Sequence, residues 1–197
     1  GGWKVGIGGD GVPFAAPLYA SALAASPARV ALGGYVLIEM EIAFRLQRDL
    51  PPGDHARDAI LAACDQVVAG IEVLRGRFGE PPAVPFLAFL ADNGANLAYV
   101  TGGATGALRT LDLTALPCRL VIGGKVAHDG IGHPHRDPVE PIRRYLAKSN
   151  DRLGGLRAGQ IVTTGSLNTP VRVEAPTRVE VDIDGVVLQR LSADLPD

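Results

Sequence analysis

Cysteine is scarce: the 197-residue chain has two, Cys64 and Cys118. Two cysteines make neither a disulfide framework nor a metal-binding spacing, so the chain reads as a reduced, cytoplasmic protein. Lysine is almost as rare, at positions 4, 125 and 148, and nearly all other positive charge is arginine. A net charge of −2 leaves no electrostatic footprint for nucleic acid or anionic lipid. No apolar run approaches the roughly 20 residues of a membrane span. The Gly-rich turn at 8–11 is not a phosphate loop or a proper dinucleotide fingerprint. There is also no G-x-S-x-G elbow, which disfavours nucleophilic serine chemistry.

What remains is an ordinary globular composition, 47% apolar and 20% charged. That length fits one domain, residues 1–197, with a sizeable core. Trp3–Ile7 reads as a short strand. The Ala- and Pro-rich stretch Val12–Gly34 reads as mostly loop, with a helical turn around Leu18–Ala24. Asp54 can N-cap a helix through about Asp65, with Ala59, Ile60, Ala63 and Cys64 inward. Gln66–Leu74 and Leu97–Thr101 read as strands, Phe86–Leu90 as one helical turn, and Gly102–Gly106 as a flexible connection. A two-glycine turn at Gly123-Gly124 marks a hairpin. Pro138–Asn150 reads as an amphipathic helix, followed by an all-β tail that includes Val186–Leu191. Short strands outnumber helices, so the expected class is α+β and β-rich.

Two features point to chemistry. In Val36–Leu46, Ile38, Met40, Ile42, Phe44 and Leu46 alternate with Glu39, Glu41, Ala43 and Arg45, the period of a half-buried strand. Glu39 and Glu41 then share a face. Either that face is solvated, or the carboxylates gather around a hard divalent cation with oxygen ligands. Glu72 interrupts an almost wholly apolar run, where an unpaired carboxylate is costly to bury. It sits either at a strand end in water or against a cation, and is the third candidate ligand. His128, His133 and His135 match no standard zinc spacing; His133 reads as structural and the other two as exposed.

The order of short motifs is more specific than any one of them. Lys4 in Gly-x-Lys-x-Gly is followed by Ile-Glu-Met-Glu-Ile-Ala-Phe and Arg-Asp-Leu-Pro. Next come Gly-Ile-Glu-Val at 70–73, Ala-Asp-Asn-Gly-Ala-Asn at 91–96, Gly-His-Pro at 132–134 and Gly-Gln-Ile-Val-Thr-Thr-Gly-Ser-Leu at 159–167. This series resembles the 2-keto-4-pentenoate hydratase and 4-oxalocrotonate decarboxylase branch of the fumarylacetoacetate hydrolase superfamily, over nearly the whole chain. The resemblance implies a mixed-sheet roll with a few peripheral helices around a Mg²⁺ or Mn²⁺ site held by Glu39, Glu41 and Glu72. It places Lys4 at the substrate. It implies a small 2-keto or 2-hydroxydienoic acid from aromatic catabolism, and a homo-oligomer able to associate with a sister enzyme. The N-terminal segment usual in the family has no counterpart here. Where the family has Thr-Ser and a loop Asp, this chain has Gly8-Gly9 and Val12-Pro13-Phe14-Ala15-Ala16.

The implied activity is a hydratase, a carbon–oxygen lyase. Its rivals are 4-oxalocrotonate-type decarboxylation or C–C hydrolysis of an acylpyruvate on the same scaffold, and a catalytically impaired partner subunit. Lys4 would pair with the substrate carboxylate or shuttle a proton, a lowered pKa beside a dication suiting the second role; otherwise it is a surface lysine. Ser166 would offer its hydroxyl and nearby amides to a carboxylate, or be a plain turn serine. Asp92 would hold the active-site loop or orient a water, or merely cap a turn.

Overall fold

The computed structural model describes residues 1–78, 84–106, 110–148, 154–186 and 191–197. In chain order its elements are β1 (Gly2–Ile7), β2 (Pro13–Leu18), β3 (Leu23–Ala25), β4 (Ala28–Arg29), β5 (Val36–Leu46), α1 (Arg57–Ala62), β6 (Cys64–Leu74), α2 (Phe86–Ala91) and β7 (Asn96–Thr105). They continue with β8 (Pro117–Ile122), β9 (Lys125–Ile131), α3 (Glu140–Ala147), β10 (Ile161–Ser166), β11 (Val171–Val173), β12 (Thr177–Ile183) and β13 (Leu191–Leu195). Eight strands form one sheet in the order β2-β1-β10-β5-β6-β7-β3, with β11 also on β5; the other five run β4-β13-β12-β8-β9. Both sheets mix parallel and antiparallel pairs, since β1 runs parallel to β10 and β13 to β4. This is the expected β-rich α+β roll.

Period-2 patterning in β5 and β6 decides how the sheets meet. Their full antiparallel register sets Ile38 opposite Val73, Met40 opposite Ile71, Ile42 opposite Ala69 and Phe44 opposite Val67. Directly opposed residues share a face. All eight are buried in one cluster with Leu120 of β8 and with Val179, Val181 and Ile183 of β12, so the second sheet covers this face. The other face carries Glu39 opposite Glu72, Glu41 opposite Gly70 and Ala43 opposite Val68.

Several local expectations are corrected. Residues 13–18 are strand β2, not loop, paired antiparallel with β1 from Gly2–Leu18 to Ile7–Pro13. Pro13 and Pro17 are tolerated because β2 is the sheet's edge. A short 3₁₀ turn at Ala20–Ala22 is all the helix in that stretch. Residues 102–105 continue β7 against β6 rather than forming a flexible connection. The helix after Gly53 starts at Arg57 with no side-chain cap from Asp54, ends at Ala62, and leaves Ala59 exposed. Cys64 already belongs to β6. The hairpin turn is as expected, with Gly123 and Gly124 at φ of 57° and 77°. Pro81-Pro82, the last residues of the 138–150 helix and most of the Val186–Leu191 strand lie outside the described residues.

Candidate metal centre

Strand register gathers the three glutamates. One carboxylate oxygen from each of Glu39, Glu41 and Glu72 falls within 4.8 Å of the others. Glu41 and Glu72 are buried and Glu39 is partly so. Among the described residues no other group of His, Cys, Asp or Glu converges in this way. The histidines do not: His133 is buried and burial holds its imidazole down at about 4, while His128 and His135 are half-buried rather than exposed.

Glu72 is occupied by a cation, one of the two alternatives open to it. Lys4 Nζ lies 2.8 Å from Glu72 Oε1, and Asn96 Nδ2 donates to the same oxygen at 2.7 Å. Glu72 Oε2 is buried with no hydrogen-bond partner. Lys4 is buried too, and also donates to the Gly94 carbonyl at 3.1 Å. That carbonyl is presented by a left-handed turn in which Asn93, Gly94 and Ala95 have φ of 56°, 61° and 61°. Such a conformation costs about 1–2 kcal/mol for a residue such as alanine. Asp92 secures it: its carboxylate accepts the Arg77 amide at 2.7 Å and Arg77 Nη1 at 2.6 Å, while its own carbonyl receives the Ala95 amide.

Glu41 is held by Thr163, whose hydroxyl donates to Glu41 Oε2. Thr163 lies opposite Lys4 across β1–β10 and opposite Ala43 across β10–β5, so it bridges the lysine strand and the glutamate strand. Gly70, facing Glu41, has no room for a side chain: a Cβ there would collide with the Tyr99 hydroxyl. Burial, then the charge of Glu41, push that phenol well above its ordinary pKa, so it stays a neutral hydroxyl. The β5 backbone between Glu39 and Glu41 is clamped by the next turn. Met40 N–H donates to Asn168 Oδ1 at 2.7 Å and the Met40 carbonyl accepts the Leu167 amide at 2.8 Å.

The electrostatics are those of an acidic cluster with one internal counter-ion. Burial, then the charge of Glu72, push Glu39 up to about 7, with Lys4 opposing. Burial, then Glu72 and Glu39, push Glu41 well above the carboxylate range. For Lys4, burial alone would lower the pKa, but Glu72, Glu39 and Glu41 together outweigh it and raise it. In the metal-free chain the direction is therefore set by the three carboxylates, and the lowering expected beside a dication belongs to the metal-bound site. Ser166 ends β10 opposite Glu41, and its hydroxyl donates to the Asn168 carbonyl at 2.6 Å. Asn96, Thr163 and Asn168 were not picked out from sequence, although the first two lie inside motifs that were.

Three hard oxygen donors, a buried carboxylate oxygen without a partner, and raised carboxylate pKa values are what a hard divalent ion would relieve. The residues fit Mg²⁺ or Mn²⁺. Known proteins resemble the chain in sequence and in fold. Over 150 residues the chain is 35% identical to 2-keto-4-pentenoate hydratase of Burkholderia vietnamiensis, a match covering 76% of this chain and 57% of the relative. It is 30% identical over 155 residues to 4-oxalocrotonate decarboxylase of Pseudomonas putida, covering 76% and 56%. The chain is a homologue of these hydratases and decarboxylases. It spans little more than half the length of either. No family model matches it. Its fold superposes on 4-oxalocrotonate decarboxylase from Pseudomonas putida G7, complexed with magnesium and adipate, with a TM-score of 0.83, 23% identity and coverage of 98% of this chain and 77% of that one. A fumarylacetoacetate hydrolase family protein from Yersinia pestis CO92 gives a TM-score of 0.71 at 18% identity, covering 98% and 92%. This homologue of the hydratases therefore has the fumarylacetoacetate hydrolase fold. No helix among its described residues is long and apolar enough to cross a membrane.

Proposed function

We propose that the chain carries the catalytic domain of a cytoplasmic, divalent-metal-dependent lyase of the 2-keto-4-pentenoate hydratase type, acting on a small 2-keto or 2-hydroxydienoic acid. The observation that carries this reading is the convergence of the Glu39, Glu41 and Glu72 carboxylates, with Glu72 Oε2 buried and without a hydrogen-bond partner. Those three residues would hold Mg²⁺ or Mn²⁺. Such an ion, when bound, supplies a Lewis acid for the carboxylate and keto oxygens of a 2-keto acid.

The chain's own residues supply the rest. Lys4 is fixed by its ion pair and its Gly94 hydrogen bond. It would pair with the substrate carboxylate or shuttle a proton. Asn96 orients Glu72 and Thr163 orients Glu41, the outer partners that ligating carboxylates need. Asp92 acts on the turn that carries Gly94, not on substrate, since Arg77 occupies its carboxylate. Ser166 contributes through the end of β10 beside Glu41. Assembly into a homo-oligomer belongs to the same proposal.

The test is calorimetric titration of chelator-stripped protein with Mn²⁺, with and without oxalate, on wild type and Glu41→Ala, followed by assay of 2-hydroxypenta-2,4-dienoate. Mn²⁺ binding that tightens with oxalate and disappears in Glu41→Ala is expected. Wild type that binds no Mn²⁺ overturns the lyase. Binding of Mn²⁺ and oxalate with no turnover would instead favour an impaired partner subunit.

A further inference from the structure

Beside Lys4 the surface turns aromatic. Gly6 is two residues along β1 on the same face, and lies opposite Phe14 of β2. A Cβ on Gly6 would run into the Phe14 ring, so the missing side chain is the seat of that ring. Phe14 meets Phe86 edge to face with centroids 5.2 Å apart, and Phe86 stacks near Phe89 at 6.3 Å. The wall then returns to the site: Lys4 Nζ lies 5.9 Å from the Phe89 centroid. A point one bond out from Gly94 would be 3.3 Å from Lys4 Nζ and 3.4 Å from Phe89 Cζ, so ammonium and ring flank the same spot. Phe86 is 48% exposed. Isolated surface phenylalanines need no explanation, but these three are in contact and run from an exposed ring to a buried lysine of the charged site.

We propose that Phe14, Phe86 and Phe89 form a subsite for the distal end of the substrate, and that this end is an uncharged aryl group. The inference rests on the metal-centre reading and names the substrate class of that site. A ring leaving the chelated 2-keto acid head past Lys4 would have three phenyl rings to pack against, and aromatic pairs favour edge-to-face or offset contact. Among the described residues, a second carboxylate along Phe14, Phe86 and Phe89 would meet rings rather than a hydrogen-bond donor. The cation at its outer edge, Lys148, donates to the Pro13 carbonyl at 3.5 Å.

The experiment is calorimetric titration of Mn²⁺-loaded protein with pyruvate, 4-phenyl-2-oxobutanoate and 2-ketoglutarate, on wild type, Phe86→Ala and Phe86→Arg. Wild type should bind the phenyl compound at least about tenfold more tightly than pyruvate, and 2-ketoglutarate no more tightly than pyruvate. Phe86→Ala, at an exposed position, should erase most of the phenyl gain and leave pyruvate unchanged. Phe86→Arg should move the preference to 2-ketoglutarate. Equal affinity for all three acids, or a phenyl gain untouched by Phe86→Ala, overturns the subsite. Tightest binding of 2-ketoglutarate by wild type also overturns it, and Lys148→Ala then shows which cation takes the distal carboxylate. Failure of pyruvate itself to bind removes the metal-centre reading and the subsite with it.

Discussion

Along β5, even-numbered and odd-numbered residues live in different solvents. Ile38, Met40, Ile42 and Phe44 face a dry, close-packed interior shared by two sheets, while Glu39 and Glu41 face a cluster of charge on the same strand. The first face is stabilised by burial itself, about 1.5–3 kcal/mol for each large apolar side chain. The second is destabilised by the same burial, because each carboxylate loses water and gains like-charged neighbours. Rigid backing on one side is what allows unfavourable charge to be held in register on the other. The apolar face is thus part of the site's machinery, although it touches nothing that would bind there.

The largest effect expected from this contrast is on the apolar face. Phe44→Ala should lower stability by about 3–5 kcal/mol in urea unfolding, and a loss under about 1 kcal/mol would break the comparison. On the charged face, Lys4→Met removes the cluster's counter-ion. Its loss should be about 3 kcal/mol at pH 8 in the same assay and clearly smaller at pH 5.5, where the cluster takes up protons. Equal losses at both pH values would mean that Lys4 stabilises by packing alone.

The pH dependence of the chelated wild type sharpens the contrast further. Glu39 has its pKa raised to about 7, so its contribution is fully present below about 4.5 and is lost as pH rises through 7. Melting temperature without metal should therefore fall between pH 6.5 and 8.5. Saturating Mn²⁺ should reverse that slope, and Glu39→Gln should flatten it. His133, held down at about 4, works in the opposite sense: its contribution is present above about 6.5 and is lost as pH falls toward 4. A bell-shaped stability curve is the expected sum. The smallest effect belongs to Arg45, at the exposed end of the same odd-numbered face, where it pairs with Asp65 at 2.6 Å. Arg45→Ala should cost under about 1 kcal/mol and leave Mn²⁺ affinity unchanged.

Glu39, Glu41 and Glu72 were legible before any coordinates because their signals are local: alternation for the pair, and an acid stranded in an apolar run for the third. The partner of Glu72 was not legible, since only the pairing of β1 with β10, and of β10 with β5, brings Lys4 to it. Asn96 and Thr163 were hidden for a different reason. An asparagine before a strand and a threonine within one are ordinary there, and only register shows which carboxylate each will meet. Strand β2 was masked by its prolines, which remove donors that an edge strand does not need. The chain-level class was readable because strand periods repeat; the aromatic wall was not, as Phe14, Phe86 and Phe89 have no periodic relation.

Because Lys4 already answers one of the three carboxylates from within the chain, folding need not wait for an ion. Small metal-nucleated domains stay unfolded until they are loaded. Here the ammonium built into β1 would let the sheets close around the carboxylates before any ion is bound. Loading at the unpartnered Glu72 Oε2 would then add a partner to a site already formed rather than bring structure into being.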